Sequence, residues 1–163
     1  MSTGNRQVNL ESRMPSVPRP LRISRDIVIA APPSAVFSVL ANPHRHTDFD
    51  GSGTVRNMIS GPDRLSMDAT FRADMKLFGV RYRILNTVVE FEVDRRIAWC
   101  HPGKHRWRYE LEEVDGGTRV TETCDLSTSP IRGLLVRTPW PRWNAEGIEK
   151  TLPRLKTLVE MGA

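Results

Sequence analysis

The sequence predicts an α+β fold, in which a bent antiparallel sheet of about seven strands packs against one long C-terminal helix. Two observations predict it. Across the middle of the chain, apolar residues alternate with polar ones between short turn-forming separators, as in hairpin-connected strands. After Pro130 the apolar period becomes helical. The length of 163 residues fits one compact domain.

An N-terminal segment, residues 1–20, precedes this domain. It contains three prolines and three arginines and has no sustained apolar period, so it cannot bury enough surface to order itself. We therefore expect a disordered basic tail over 1–20 and a folded domain over 21–163. Most of the net charge of +5 lies in the first 25 residues, which leaves the folded part close to neutral.

The first strand and a short helix pair open the domain. The β-branched run over 23–29 predicts the strand. Pro33 suits a helix start, and Asn42-Pro43 ends that helix. A second short helical turn is expected over 43–49.

Six further strands are expected from the period of two. They lie near 54–60, 67–75, 79–93, 96–101, 105–114 and 118–128. Their separators, such as Gly116-Gly117, are short, as hairpins require. Alternation is clear where Trp107 and Tyr109 share one face and Arg108 lies on the other.

A change of parity occurs within the segment 79–93. Ile84 is an even-numbered apolar residue, whereas Phe91 is odd-numbered. The inward face must therefore change between them, which predicts a β-bulge near Leu85-Asn86.

The C-terminal helix carries one apolar face. Ile148, Leu152, Leu155 and Val159 follow helical spacing, and Pro153 should kink the helix.

Three local strings resemble a known family. They are IAAPPSAVF at 29–37, LANP at 40–43 and GGTRVTET at 116–123. With the element order, they resemble the START-like superfamily, also called SRPBCC, and particularly its bacterial polyketide cyclase/dehydrase and lipid-transport branch. The resemblance covers about residues 21–161. It implies a helix-grip fold with a hydrophobic cavity between the sheet and the C-terminal helix, which receives an apolar small molecule.

Apolar and amphipathic residues of matching parity form the candidate ligand pocket. They are Phe71, Tyr82, Trp99, Trp107, Tyr109, Glu122 and Cys124 on strands, with Ile148 and Leu152 on the helix. Such a stripe is also what a plain hydrophobic core requires, so both interpretations stay open for each side chain.

Glu122 is the most informative acid, because it shares parity with Val120 and Cys124 and should point to the apolar side. Burial would raise its pKa and make it a proton donor, a proton acceptor or an anchor for a ligand hydroxyl. An edge position with a surface partner is the alternative. Tyr82 and Tyr109 are the other candidate proton handlers, and core packing is the alternative for both.

The four histidines do not predict a metal site. His44 and His46 are two residues apart, so their side chains diverge on a helix even with Asp48 nearby. His101 and His105 flank a Pro-Gly turn, and we favour a solvated hairpin over a place at the pocket mouth. We expect no metal and no cofactor.

Composition and motifs exclude several function classes. The basic charge forms only a short leader, which argues against nucleic-acid binding. No apolar run is long enough for a membrane span or a signal peptide, so a cytoplasmic protein is expected. Phosphate loops, nucleophile elbows and zinc-protease helices are missing from the sequence, and nothing in it predicts a catalytic cysteine.

Three functional hypotheses remain. The first is a binder of a hydrophobic small molecule such as a fatty acid, a sterol-like or a polyketide-like compound. The second is a cyclase or dehydratase acting on an aromatic polyketide precursor. The third is an interaction module or homodimer that pairs near Trp140 and Trp143, since tryptophans at a helix entry often mark contact surfaces. A monomer or a homodimer is compatible with the first two.

Overall fold

The structure is a computed structural model that describes residues 21–162. The tail predicted over 1–20 lies outside the described residues. The seven strands are β1 Arg22–Ile29, β2 Val55–Ser60, β3 Thr70–Leu77, β4 Val80–Glu92, β5 Arg96–Cys100, β6 Arg106–Val114 and β7 Gly117–Asp125. The α-helices are α1 Pro33–Leu40, α2 His46–Phe49, α3 Arg132–Leu135 and α4 Trp140–Glu160, and a 3-10 turn covers Pro43–Arg45. The predicted α+β helix-grip fold is confirmed.

The strands form one antiparallel sheet in the order β1-β7-β6-β5-β4-β3-β2. Every pair from β2 to β7 is a sequence neighbour, so short turns close the sheet, and β1 returns to pair with β7. The β6–β7 turn depends on Gly117, which has a φ of 140°. A Cβ there would lie 2.0 Å from the carbonyl oxygen of Ile29, so no other residue fits without moving β1.

A bulge interrupts β4, but its predicted position was wrong. The β3–β4 register is regular through Leu85 and Asn86, and the shift lies between Val88 and Glu90 in the pairing with β5. The inward face therefore stays even-numbered as far as Val88, which is fully buried, and changes to odd at Phe91 only afterwards. Alternation of apolar residues identifies a change of parity within a strand, but it does not identify the extra residue.

The core lies between the sheet and α4. Ile148, Leu152, Leu155 and Val159 are buried on one face of this helix, as predicted. They pack in one hydrophobic cluster with β1, β7 and α1, in which Phe37 is fully buried. The helix α4 continues without a break through Pro153 to Glu160. This half of the sheet is thus filled by side chains.

A tight turn over 50–53 holds α2 and β2 against α4. The backbone N–H of Gly51 donates to Thr151 Oγ1 at 2.8 Å. A Cβ on Gly51 would lie 2.3 Å from the backbone nitrogen of Thr151 and 2.6 Å from the carbonyl oxygen of Gly147. Only glycine permits this approach, which fixes the first half of α4 over the sheet.

Candidate functional site

A cavity of about 560 Å³ lies between the concave face of the sheet and the first half of α4. Its volume falls within the range of small-molecule sites in proteins, roughly 300–1,000 Å³. The wall comprises inward residues of β3–β7, the turn over 50–53 and residues 131–151. Here α4 presents Asn144 and Gly147, with Trp140 and Trp143 nearer its start, instead of the aliphatic side chains that fill the other half.

The inner wall is an aromatic cluster built around His46. The His46 ring stacks on Trp99 with centroids 4.9 Å apart, and Phe71 meets both rings edge-on at 5.5 and 5.6 Å. His46 Nε2 donates to the Leu40 carbonyl oxygen at 2.8 Å. Burial lowers the pKa of His46 to about 4, so the ring is neutral at physiological pH. No pattern in the sequence identified His46 as a wall residue.

Glu122 lies on this wall and is completely buried. Its Oε1 accepts hydrogen bonds from Trp107 Nε1 and from the Tyr109 hydroxyl, both at 2.8 Å. Its Oε2 is buried and has no hydrogen-bond partner among the described residues. The pKa of Glu122 is raised to about 8, chiefly by burial and to a smaller extent by the carboxylate of Asp50, while the two hydrogen-bond donors partly oppose this rise.

Tyr109 and Tyr82 differ in environment. Tyr109 is buried, and burial together with Glu122 raises its pKa well above the usual value, so it is a hydrogen-bond donor at neutral pH. Tyr82 is 39% exposed on the outer wall, where partial burial raises its pKa. Tyr109 is hydrogen-bonded to Glu122, whereas Tyr82 does not contact that carboxyl. A buried amide, Asn86, also lines the wall, and its Oδ1 has no partner within residues 21–162.

His101 and His105 do not form the solvated hairpin that we favoured. Their rings stack at 4.4 Å, and His105 packs edge-on against Trp140 at 4.7 Å. Both residues line the cavity. Burial lowers the pKa of His101 to about 3 and that of His105 to about 4, so both are neutral. The preference for a solvated hairpin was wrong because Trp140, more than 30 residues further along, covers the turn.

Three predicted pocket residues lie in the core instead of on the cavity wall. Ile148 and Leu152 belong to the filled half of the helix face. Cys124 is fully buried, and its sulfur accepts from Asn144 Nδ2 at 3.3 Å. Burial raises the pKa of this thiol to about 12, so it stays protonated. The other six predicted residues, Phe71, Tyr82, Trp99, Trp107, Tyr109 and Glu122, all line the cavity.

The cavity mouth carries exposed apolar residues, of which the sequence indicated only the tryptophans. Phe78, at the tip of the β3–β4 hairpin, is 77% exposed and meets Trp143 of α4 edge-on, with centroids 5.1 Å apart. Ile131 and Trp140 line the same opening. The hairpin and the start of α4 therefore touch across the mouth.

The charged groups of the wall are mainly acidic. Asp50, Glu122 and Glu146 face Lys150, the one cation among the described wall residues. Within residues 21–162, no group of three or more histidine, cysteine or acidic side chains is arranged to hold a metal ion. No helix in the same range is long and apolar enough to cross a membrane.

Comparison with known protein families identifies one family whose model matches most of the chain. The family model described as polyketide cyclase / dehydrase and lipid transport matches residues 20–160. The chain belongs to this family. The match covers the whole described sheet and all of α4, so the family assignment includes every element that builds the cavity.

Individual family relatives and solved structures add detail. The uncharacterized protein Rv0088 of Mycobacterium tuberculosis is 42% identical over 141 residues, which cover 83% of this chain and 63% of that protein. The chain thus spans less than two thirds of the length of this relative. The crystal structure of CV1439 from Chromobacterium violaceum has a TM-score of 0.69 at 18% identity, covering 86% of this chain and 99% of that one. The crystal structure of TTHA0849 from Thermus thermophilus has a TM-score of 0.66 at 19% identity, covering 87% and 99%. These two structures support the fold.

Proposed function

We propose that the protein binds a hydrophobic small molecule in the cavity between the sheet and α4. The observation that carries this proposal is the cavity itself, about 560 Å³ with a mainly apolar wall that includes all four tryptophans. A plain core would close such a space, because unfilled apolar volume costs stability. The family description, which includes lipid transport, supports the same function. Location in the cytoplasm stays a prediction.

Two adjacent residues of β4 provide the test. Ile84 lines the cavity, whereas Leu85 is 45% exposed on the opposite face. We expect Ile84→Trp to place a larger side chain in the cavity and weaken binding of the neutral fluorophore N-phenyl-1-naphthylamine, and Leu85→Trp to leave binding unchanged. Equal binding by both variants would refute the proposal. Native mass spectrometry of protein purified from its own host would identify a retained ligand.

Acid–base catalysis on an aromatic polyketide precursor is the second candidate, and Glu122 is the observation that favours it. A buried carboxyl with a raised pKa and an unpaired oxygen is suited to proton transfer near neutral pH. Glu122→Gln should then abolish turnover while fluorophore binding persists. Turnover that survives this substitution would exclude Glu122 as the proton-transfer group.

The interaction hypothesis stays a prediction. The exposed mouth residues Phe78 and Trp143 favour it, because exposed aromatics at one site are typical of contact surfaces. Sedimentation of the full chain over a range of concentrations would test it. A mass that increases with concentration and returns to that of the monomer in Trp143→Ala would support self-association through this site.

A further inference from the structure

Three cavity-wall residues carry a buried polar atom with no hydrogen-bond partner among the described residues, namely Asn86 Oδ1, His105 Nδ1 and Glu122 Oε2. Of these atoms, only Glu122 Oε2 belongs to a carboxyl group. Glu122 lines the cavity; its Oε1 is satisfied by Trp107 and Tyr109, whereas its Oε2 is buried without a partner in the described chain. Leaving a buried polar atom unpaired costs free energy. A ligand atom that pairs with Oε2 would remove this cost.

The charged groups around Glu122 offer no cation to Oε2. On β1, Arg25 lies opposite Glu122 in the register but binds Glu149 at 2.9 Å. On α4, Lys150 is exposed and Glu146 is acidic, and the turn after α2 adds Asp50.

The remaining titratable neighbours are uncharged at neutral pH. They are Tyr109 on β6, Cys124 on β7, His46 on α2, and His101 and His105 around the β5–β6 turn. Lys150, which is exposed on α4, is therefore the one cation among the described wall residues, and the buried groups around Glu122 carry no positive charge.

The protonation state of Glu122 follows from this environment. Because burial raises its pKa to about 8, the carboxyl is mostly protonated at pH 7. Both bonds to Oε1 come from donors, so the proton belongs on Oε2, the carboxyl oxygen without a partner among the described residues. A protonated Oε2 donates a hydrogen bond, which a ligand carbonyl oxygen accepts. A ligand carboxylate beside Glu122 would instead be buried near Asp50 without a buried counter-ion, because Lys150 is exposed, and this is costly.

We propose that the inner cavity holds the carbonyl oxygen of a neutral amphipathic ligand, such as a ketone or an ester, hydrogen-bonded to Glu122 Oε2, and that it excludes the carboxylate of a free fatty acid. This inference rests on the proposed binding function and narrows it. Of the ligand classes considered from the sequence, it disfavours the fatty acid.

Displacement of N-phenyl-1-naphthylamine from the full chain by a matched pair of probes tests the inference. At pH 7 we expect methyl decanoate to compete at least tenfold more strongly than decanoic acid. Between pH 7 and pH 9 the affinity for methyl decanoate should fall about tenfold, because Glu122 ionises over this range.

Two variants separate the effect of the Glu122 carboxyl from that of other carboxyl groups. Glu122→Gln keeps a neutral donor of the same shape, so it should bind methyl decanoate with the pH dependence removed. Glu110→Gln changes an exposed carboxylate on the outer face of β6 and should behave as the unchanged protein.

Several results would overturn the inference. Equal or stronger competition by decanoic acid at pH 7 would do so without any variant, and so would a pH dependence that persists in Glu122→Gln. If the fluorophore binds but methyl decanoate and decanoic acid displace it equally well, the inference about the ligand carbonyl fails while the proposed binding function stands. If the fluorophore and both probes fail to bind the unchanged protein, the proposed binding function fails with it.

Discussion

At the scale of single residues, Glu122 shows how one buried acid is accommodated. Strand parity places it inward beside Val120 and Cys124, and two aromatic donors from β6 stabilise one of its oxygens. These donors, Tyr109 and Trp107, lie opposite Glu122 and Cys124 in the β6–β7 register, so the sheet itself sets the geometry. The other oxygen is buried and has no hydrogen-bond partner among the described residues.

Removing one donor should change the titration of Glu122. Because the hydrogen bond from Tyr109 lowers the pKa of Glu122, Tyr109→Phe should raise that pKa further. We also expect a loss of about 1 kcal/mol in the free energy of unfolding. Carboxyl carbon shifts measured by NMR over a pH series would report the midpoint. Tyr82→Phe, which removes a hydroxyl that does not bind Glu122, is the control, and an unchanged midpoint in Tyr109→Phe would contradict the assignment.

At the scale of elements, the β3–β4 hairpin has an unusual turn. Its two central residues, Phe78 and Gly79, have φ values of 48° and 84°, as in a type I′ turn. Asparagine is favoured at the first of these positions, and a phenylalanine there is strained. The ring contacts Trp143 across the mouth.

Phe78→Asn should therefore raise the free energy of unfolding and also speed the release of a bound ligand. The turn becomes less strained, so the free energy of unfolding should rise by about 0.5–1 kcal/mol. Loss of the contact with Trp143 should speed release of N-phenyl-1-naphthylamine in stopped-flow displacement. A release rate equal to that of the unchanged protein would show that the contact does not restrict the mouth.

The close approach of the turn over 50–53 to α4 can be tested by a substitution at Gly51. Gly51→Ala places a Cβ against the backbone of α4, so the turn or the helix must shift. We expect a loss of about 1–3 kcal/mol in the free energy of unfolding, measured by chemical denaturation. Gly133→Ala is the matched control, since a Cβ there meets nothing within 4 Å. Equal stability of the two variants would contradict the close approach.

The order and bounds of the elements could be predicted from the sequence, because strand parity and helix spacing are local. The bulge in β4 was placed only to within a few residues, because its position depends on pairing with β5. The residues of the cavity wall likewise depend on contacts between elements that are distant in the sequence. His46, His105 and Phe78 become wall residues through contacts with Trp99, Trp140 and Trp143, which no local pattern encodes. Conversely, Ile148 follows the same spacing whether it lines a cavity or fills a core.

At the scale of the whole molecule, buried titratable groups set the pH dependence of stability. Three histidines have folded-state pKa values lowered from 6.5, so the unfolded chain binds more protons and stability falls as the pH drops below 6.5. Glu122 has a folded-state pKa raised from 4.5 to about 8, so the folded chain binds the extra proton and stability falls as the pH rises toward 8. Below pH 6.5 the three histidines outweigh the one carboxyl.

Stability should therefore be greatest near pH 6.5. Chemical denaturation between pH 5 and pH 8.5 would show the two limbs. Glu122→Gln should flatten the limb between pH 6.5 and pH 8 and leave the acid limb in place. If that variant kept the alkaline limb, another group would have to account for it.

The placement of the tryptophans has a spectroscopic consequence. The chain contains four tryptophans, and all four, Trp99, Trp107, Trp140 and Trp143, line the cavity. Indole emission depends on the polarity of its surroundings and is quenched by contact with suitable acceptors. The intrinsic fluorescence of the unlabelled protein therefore reports on the cavity, with no indole elsewhere to dilute the signal. Occupancy by a ligand that bears no chromophore could thus be followed directly in solution.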